Sequence, residues 1–176
     1  MKNSGWMAIA LFLFFLISGD ASGASGVTPL NPGMRVAGWV ENVILFPGNL
    51  KVRAKLDTGA RNSSLNADDI DEFYRGGDKW VRFRLKNWKD RTVNFETKVI
   101  RTVKIKQHGK QSAIRPVIRL GICLGDVYKE VEVNLEDRSK FNYQMLLGRS
   151  FLKDSFLVDA KTTFTLQPNC REMIEK

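Results

Sequence analysis

Asp57, Thr58 and Gly59 sit inside the run Lys55-Leu56-Asp57-Thr58-Gly59-Ala60, and the chemistry open to them is that of a carboxylate on a tight loop. Two carboxylates about 3 Å apart cannot both ionise, so they share one proton. One then activates a water while the other protonates a scissile amide, which hydrolyses a peptide without a metal or a covalent intermediate. The chain has one such setting. Asp137 and Asp159 are the next most motif-like aspartates, but neither lies in a second strand-Asp-Ser/Thr-Gly context. A pair therefore calls for a second copy of the chain, with Asp57 and its mate on the two-fold axis of a homodimer.

The elements that would position Asp57 are readable around it. Val52, Ala54 and Leu56 alternate with Lys51, Arg53 and Lys55, the period of a strand with one buried face. The strand runs straight into Asp57, and Gly59 lets the backbone turn closely. Far downstream, Met145, Leu146 and Leu147 precede Gly148-Arg149, with Phe151-Leu152 and Phe156 to Asp159 beyond.

Asp57-Thr58-Gly59-Ala60 together with Leu146-Leu147-Gly148-Arg149 resembles the paired signature of retropepsin-like aspartic proteases. A closer likeness is to bacterial retropepsin-like proteins once labelled ATP-dependent zinc proteases, through Asp57 to Arg61, Arg115 to Ile118, Asp137 to Ser139 and Leu147 to Arg149. The likeness spans roughly residues 34–167. It implies that Leu146 and Leu147 cross behind the Asp57 loop and that Gly148-Arg149 opens a short helix. It implies that Thr58 ties two loops together through its hydroxyl, and that a hairpin folds over bound substrate as a flap. Two hairpins qualify, one around Asn87 to Asp90 and one with Gln107 to Lys110 at its tip. Counting back from Gly148 favours the second, which makes His108 and Gly109 substrate-binding candidates and residues 80–98 an insertion.

Ala60 offers no side-chain donor to a charged dyad, so activity at mildly acidic to neutral pH is expected. Retroviral relatives carry an aspartate where this chain has Arg61, and that aspartate pairs with the arginine of Gly-Arg. With Arg at both 61 and 149 that pair cannot form. Two readings of Arg61 stand: with Arg149 it meets the carboxylates of an acidic or glutamate-rich substrate, or it pairs with Asp68, Asp69 or Asp71. The formal net charge of +9 agrees with the first.

Zinc catalysis has little to stand on, with His108 the one histidine and no Cys/His cluster at ligand spacing. No phosphate-binding Gly-rich loop with Lys is present either. No cofactor is expected. The basic residues alternate with apolar ones along strands, as on a solvated barrel face, so nucleic-acid binding is not expected. The competing class is a non-catalytic envelope module that binds or senses a ligand on the same fold.

Met1 to Ala24 reads as a secretory signal: Lys2, an apolar run from Ala8 to Ile17, then small residues. Residues 25–33 read as a flexible leader and 34–176 as one domain, exported to the periplasm or beyond and without a membrane anchor after cleavage. In that compartment Cys123 and Cys170 are either a disulfide or two separate buried thiols. Pro47-Gly48-Asn49 is a turn between strands, Trp80 to Leu85 and Thr92 to Thr97 form a hairpin, and Asp68 to Tyr74 is helix-permissive with Gly76-Gly77 as its stop. The fold class expected is all-β, a closed retropepsin-like barrel with one or two short helices.

Overall fold

The computed structural model describes residues 33–107, 110–137 and 142–170. The expected signal segment, nearly all the leader, and the candidates His108 and Gly109 lie outside them, as does Ser139.

Strand β1 (Arg35–Phe46) is long and bent at an irregularity between Gly38 and Val40. It turns at Gly48 and Asn49, both at positive φ, into β2 (Leu50–Leu56). Val43 faces Val52 and Leu45 faces Leu50, so the alternation seen in the sequence becomes a shared buried face. Short β3 (Ser63–Asn66) follows the Asp57 loop. Three strands then form a sheet of their own: β4 (Asp68–Arg75), β5 (Asp78–Lys86) and β6 (Thr92–Lys98). The chain returns through β7 (Arg101–Gln107), β8 (Lys110–Leu124) and β9 (Val127–Glu136). It ends with β10 (Met145–Leu147), helix α1 (Arg149–Leu152) and β11 (Phe156–Thr163).

The main sheet runs β11-β1-β2-β10-β3-β9-β8-β7, and β1 also pairs with β8. That extra pairing closes β1, β2, β10, β3, β9 and β8 into a six-stranded barrel, so the all-β barrel read from the sequence is the fold observed. Its core is built from Val43, Leu45, Leu50, Val52, Leu65, Ile118, Ile122, Leu135 and Leu147. Burial of that kind stabilises by about 25 cal/mol per Å² of apolar surface. The three-stranded sheet adds Val81, Phe83, Leu85 and Phe95 to the same core, with Phe83 and Phe95 stacked at 5.3 Å.

One element departs from the sequence reading. Asp68 to Tyr74 is strand β4, not a helix. Gly76 and Gly77 both have positive φ and join Arg75 to Asp78 as a two-residue hairpin turn rather than a helix stop. Phe73 then pairs with Trp80 across the turn. The one helix among the described residues is α1, of four residues.

Cys123 and Cys170 form a disulfide with their Cα atoms 6.0 Å apart, tying the last described residue to the end of β8. Closing a loop of this length stabilises by about 4 kcal/mol in the chain-entropy account.

Candidate functional site

Asp57 leaves the end of β2, and its backbone N–H donates to the Leu147 carbonyl at 2.8 Å. Leu147 lies alongside Leu56 in the parallel pairing of β10 with β2. Leu147 is fully buried and Leu146 half-buried, which gives the loop a rigid floor. The carboxylate is then divided in its duties. Oδ1 accepts from the backbone N–H groups of Gly59 at 3.0 Å and Ala60 at 3.2 Å. Oδ2 receives no hydrogen bond from the loop; the charge beside it is the Lys55 ammonium, at 3.9 Å. Thr58 and Gly59 are exposed, and the Thr58 side chain has no hydrogen-bond partner among the described residues.

The loop is braced from behind by Gly148 and α1. Gly148 N–H donates to the buried Ser63 hydroxyl at 3.2 Å. Arg149 and Ser150 donate their backbone N–H groups to the carbonyls of Ala60 and Arg61, each at 2.9 Å. The Arg149 guanidinium reaches over the loop, and Nη1 donates to the carbonyls of Thr58 at 2.8 Å and Gly59 at 2.9 Å. The structure thus places Arg149 on the loop's own backbone, where the sequence reading put it in contact with substrate. Lys129 holds the other end of α1, donating to the carbonyls of Phe151 at 2.8 Å and Lys153 at 3.1 Å. Its partial burial pulls the ammonium's pKa down, while nearby Asp154 opposes that.

Arg61 follows the loop, is exposed, and makes no ion pair among the described residues. The three aspartates that might have held it do not. Asp69 pairs with Arg84 at 2.6 Å, and neither Asp68 nor Asp71 pairs with Arg61. Arg61 and Asn62 instead line a cavity of about 220 Å³ together with Arg101, Val103 and Ile105 of β7. Arg101 is held by Glu132, at 2.6 Å. The β7–β8 hairpin, favoured as the flap, is therefore the one that shares a cavity with the tail of the Asp57 loop. The clefts of about 430 and 480 Å³ on the three-stranded sheet include no residue of that loop. Among the described residues no three His, Cys, Asp or Glu side chains converge as a metal site.

Three residues escaped the sequence reading. Lys55 was detectable, since strand alternation puts it on the face that Asp57 continues. Ser63 and Lys129 were not, because both act on segments remote in sequence.

The model of the RimB-like family, described as retropepsin-like aspartic endopeptidase RimB, matches residues 36–169. A curated relative from Shewanella pealeana, named probable alpha-L-glutamate ligase, is 38% identical over 118 residues, covering 65% of this chain and 26% of the relative. A protein of the same name from Desulfotalea psychrophila is 31% identical over 128 residues, covering 71% of this chain and 28% of its own. The chain spans about a quarter of the length of these curated relatives. The crystal structure of a Legionella pneumophila protein of unknown function has 38% identity and a TM-score of 0.65, covering 75% of this chain and 98% of that one.

Proposed function

The chain belongs to the RimB-like family of retropepsin-like aspartic endopeptidases, and we propose that it hydrolyses peptide bonds with a water held between Asp57 and Asp57 of a second copy. The observation that carries this is the divided carboxylate. Oδ1 is fixed by two backbone N–H groups, while Oδ2 is left without a loop donor on a partly exposed side chain. A fixed carboxylate with one open oxygen is what a shared-proton pair needs from each partner. One carboxylate takes a proton from water as the water oxygen attacks the carbonyl carbon. The other, protonated, gives its proton to the carbonyl oxygen, and a proton then passes to the leaving nitrogen as the C–N bond breaks.

The substrate we infer is an acidic chain, glutamate-rich in particular. Arg61, beside the loop, has no ion-pair partner among the described residues, Lys55 stands next to Asp57, and the net charge of +9 attracts anions at long range. The relatives' name adds a chemical link: a stretch similar to this chain is part of proteins named for ligating glutamate, and hydrolysis would break the kind of bond that such ligation forms. The setting proposed is the exported compartment, after removal of the signal segment.

Mature protein and an Asp57→Asn variant, incubated with a mixed peptide library between about pH 4 and pH 8, with and without EDTA, test the reading. Cleavage that survives EDTA and disappears in the variant supports it. Cleavage lost to EDTA but kept in Asp57→Asn overturns it in favour of a metal. Acidic ligands bound but never cut would move the chain to the binding-module class.

A further inference from the structure

We propose that Lys55 reads an acidic side chain beside the scissile bond, so that the bond cut lies between two acidic residues. This rests on the peptidase reading above and assigns that site a specificity-determining residue.

Lys55 is the second-last residue of β2 and Asp57 directly follows the strand, so the strand's alternation carried one step on puts both on the same face. Lys55 is paired on one side with Val40 of β1 and on the other with Leu146 of β10. Strands flank it on both sides, so its Cα is fixed and only its flexible stem can move. That stem carries the ammonium to 3.9 Å from Asp57 Oδ2, the oxygen the loop leaves open. The separation exceeds hydrogen-bonding distance, so the ammonium's three donors are not committed to Asp57. With the Lys55 side chain 47% exposed, the attraction between the two is that of a surface pair, which is weak and easily exchanged.

A substrate carbonyl brought to Oδ2 carries its own Cα one bond away. A glutamate or aspartate side chain on that Cα is long enough to reach Lys55. Such a carboxylate draws the ammonium from Asp57 onto the substrate, and a neutral side chain does not. The two-fold axis of the dimer then supplies the second half of the rule: each Asp57 brings its own Lys55, one on either side of the scissile bond. Both flanking residues therefore meet a lysine. Arg61 lines the β7–β8 cavity, which Lys55 and Asp57 do not, so the two cations meet different parts of a bound chain.

The test uses peptides that differ only in the two residues flanking one bond, Glu–Glu, Gln–Gln or Lys–Lys, with wild type, Lys55→Met and Lys55→Glu. Wild type should prefer Glu–Glu over Gln–Gln in kcat/KM by roughly tenfold for each flanking carboxylate. Lys55→Met should bring that ratio close to one, and Lys55→Glu should favour Lys–Lys. Thermal melts of the variants check that the fold is kept. If wild type cuts both peptides equally, and Asp57→Asn cuts neither, the peptidase reading survives and the role of Lys55 falls. A Glu–Glu preference that persists in Lys55→Met overturns it as well. If wild type cleaves nothing, affinities for uncleavable hydroxyethylene peptides decide. Tighter binding of the Glu form, lost in Lys55→Met, supports Lys55 although the peptidase reading fails; equal affinities overturn it.

Discussion

Gly148 and Asn62 approach so closely that a Cβ on Gly148 would lie 2.5 Å from the Asn62 carbonyl oxygen. The backbone angles of Gly148 are ordinary for any residue, with φ −88° and ψ 177°. Space, not conformation, requires glycine here. The contact lets α1 lie flat against the tail of the Asp57 loop and place its two backbone donors on Ala60 and Arg61.

Gly148→Ala should therefore push the loop away from α1. A destabilisation of about 1–3 kcal/mol is expected from the overpacking, read as a lowered denaturant midpoint. The proposed cleavage should fall far more than stability does, because the displaced element carries Asp57. A variant with wild-type turnover would show that the loop does not depend on this contact.

Arg149→Lys keeps the charge but shortens the side chain. One guanidinium nitrogen, Nη1, serves both the Thr58 and Gly59 carbonyls, and the shorter lysine side chain does not bring its ammonium to the same point. Loosening the loop misplaces the carboxylate rather than removing a substrate contact. Hence kcat should drop by about tenfold or more with KM little changed. A rise in KM alone would return Arg149 to a substrate-binding role.

The Asp57 loop and its floor were legible because they are local: a strand period ends in Asp-Thr-Gly, and an apolar run ends in Gly-Arg. The Trp80–Thr97 hairpin was legible for the same reason. The strand at Asp68 to Tyr74 was misread because Gly76-Gly77 ends a helix and turns a hairpin equally well. What decides it is the antiparallel pairing of β4 with β5, in which Trp80 stands opposite Phe73 across the turn. The disulfide needed two sulfurs brought together from residues 47 apart in sequence, which spacing alone does not show. The state of Arg61 likewise depended on which cation Asp69 takes, and Asp69 pairs with Arg84 on the neighbouring strand.

The acid side of the stability curve has an identifiable contributor. Arg35, hydrogen-bonded to Asp126, holds that carboxyl below the ordinary aspartate value of 3.8, and so ties the start of β1 to the β8–β9 turn. A carboxylate whose pKa is depressed on folding adds stability above its unfolded value and loses it as pH falls through the folded one. Asp126→Asn should lower the denaturant midpoint by a constant amount from neutral pH down to about pH 5. The gap to wild type should then close as the pH falls below 3.8. A gap that stays open in strong acid would mean that packing, not charge, is lost.

Glu41 is a carboxylate with no exposure at all, set in the bent part of β1. Oε1 accepts from Gly38 N–H at 2.8 Å, Thr165 N–H at 2.9 Å and the Thr165 hydroxyl at 2.6 Å, and Oε2 accepts from Leu166 N–H at 3.2 Å. These bonds pin the segment after β11 to the barrel, at the opposite end of a seven-residue stretch whose last residue is the disulfide's Cys170. Glu41→Ala strands several donors at once and should cost about 3–5 kcal/mol. Glu41→Gln keeps one acceptor oxygen but turns an NH₂ toward donors that need an acceptor. It should fall between wild type and alanine, at about 1–2 kcal/mol. Chemical denaturation of the three proteins with the disulfide intact ranks them. A glutamine variant as stable as wild type would show that the charge on Glu41 adds nothing beyond one neutral hydrogen bond.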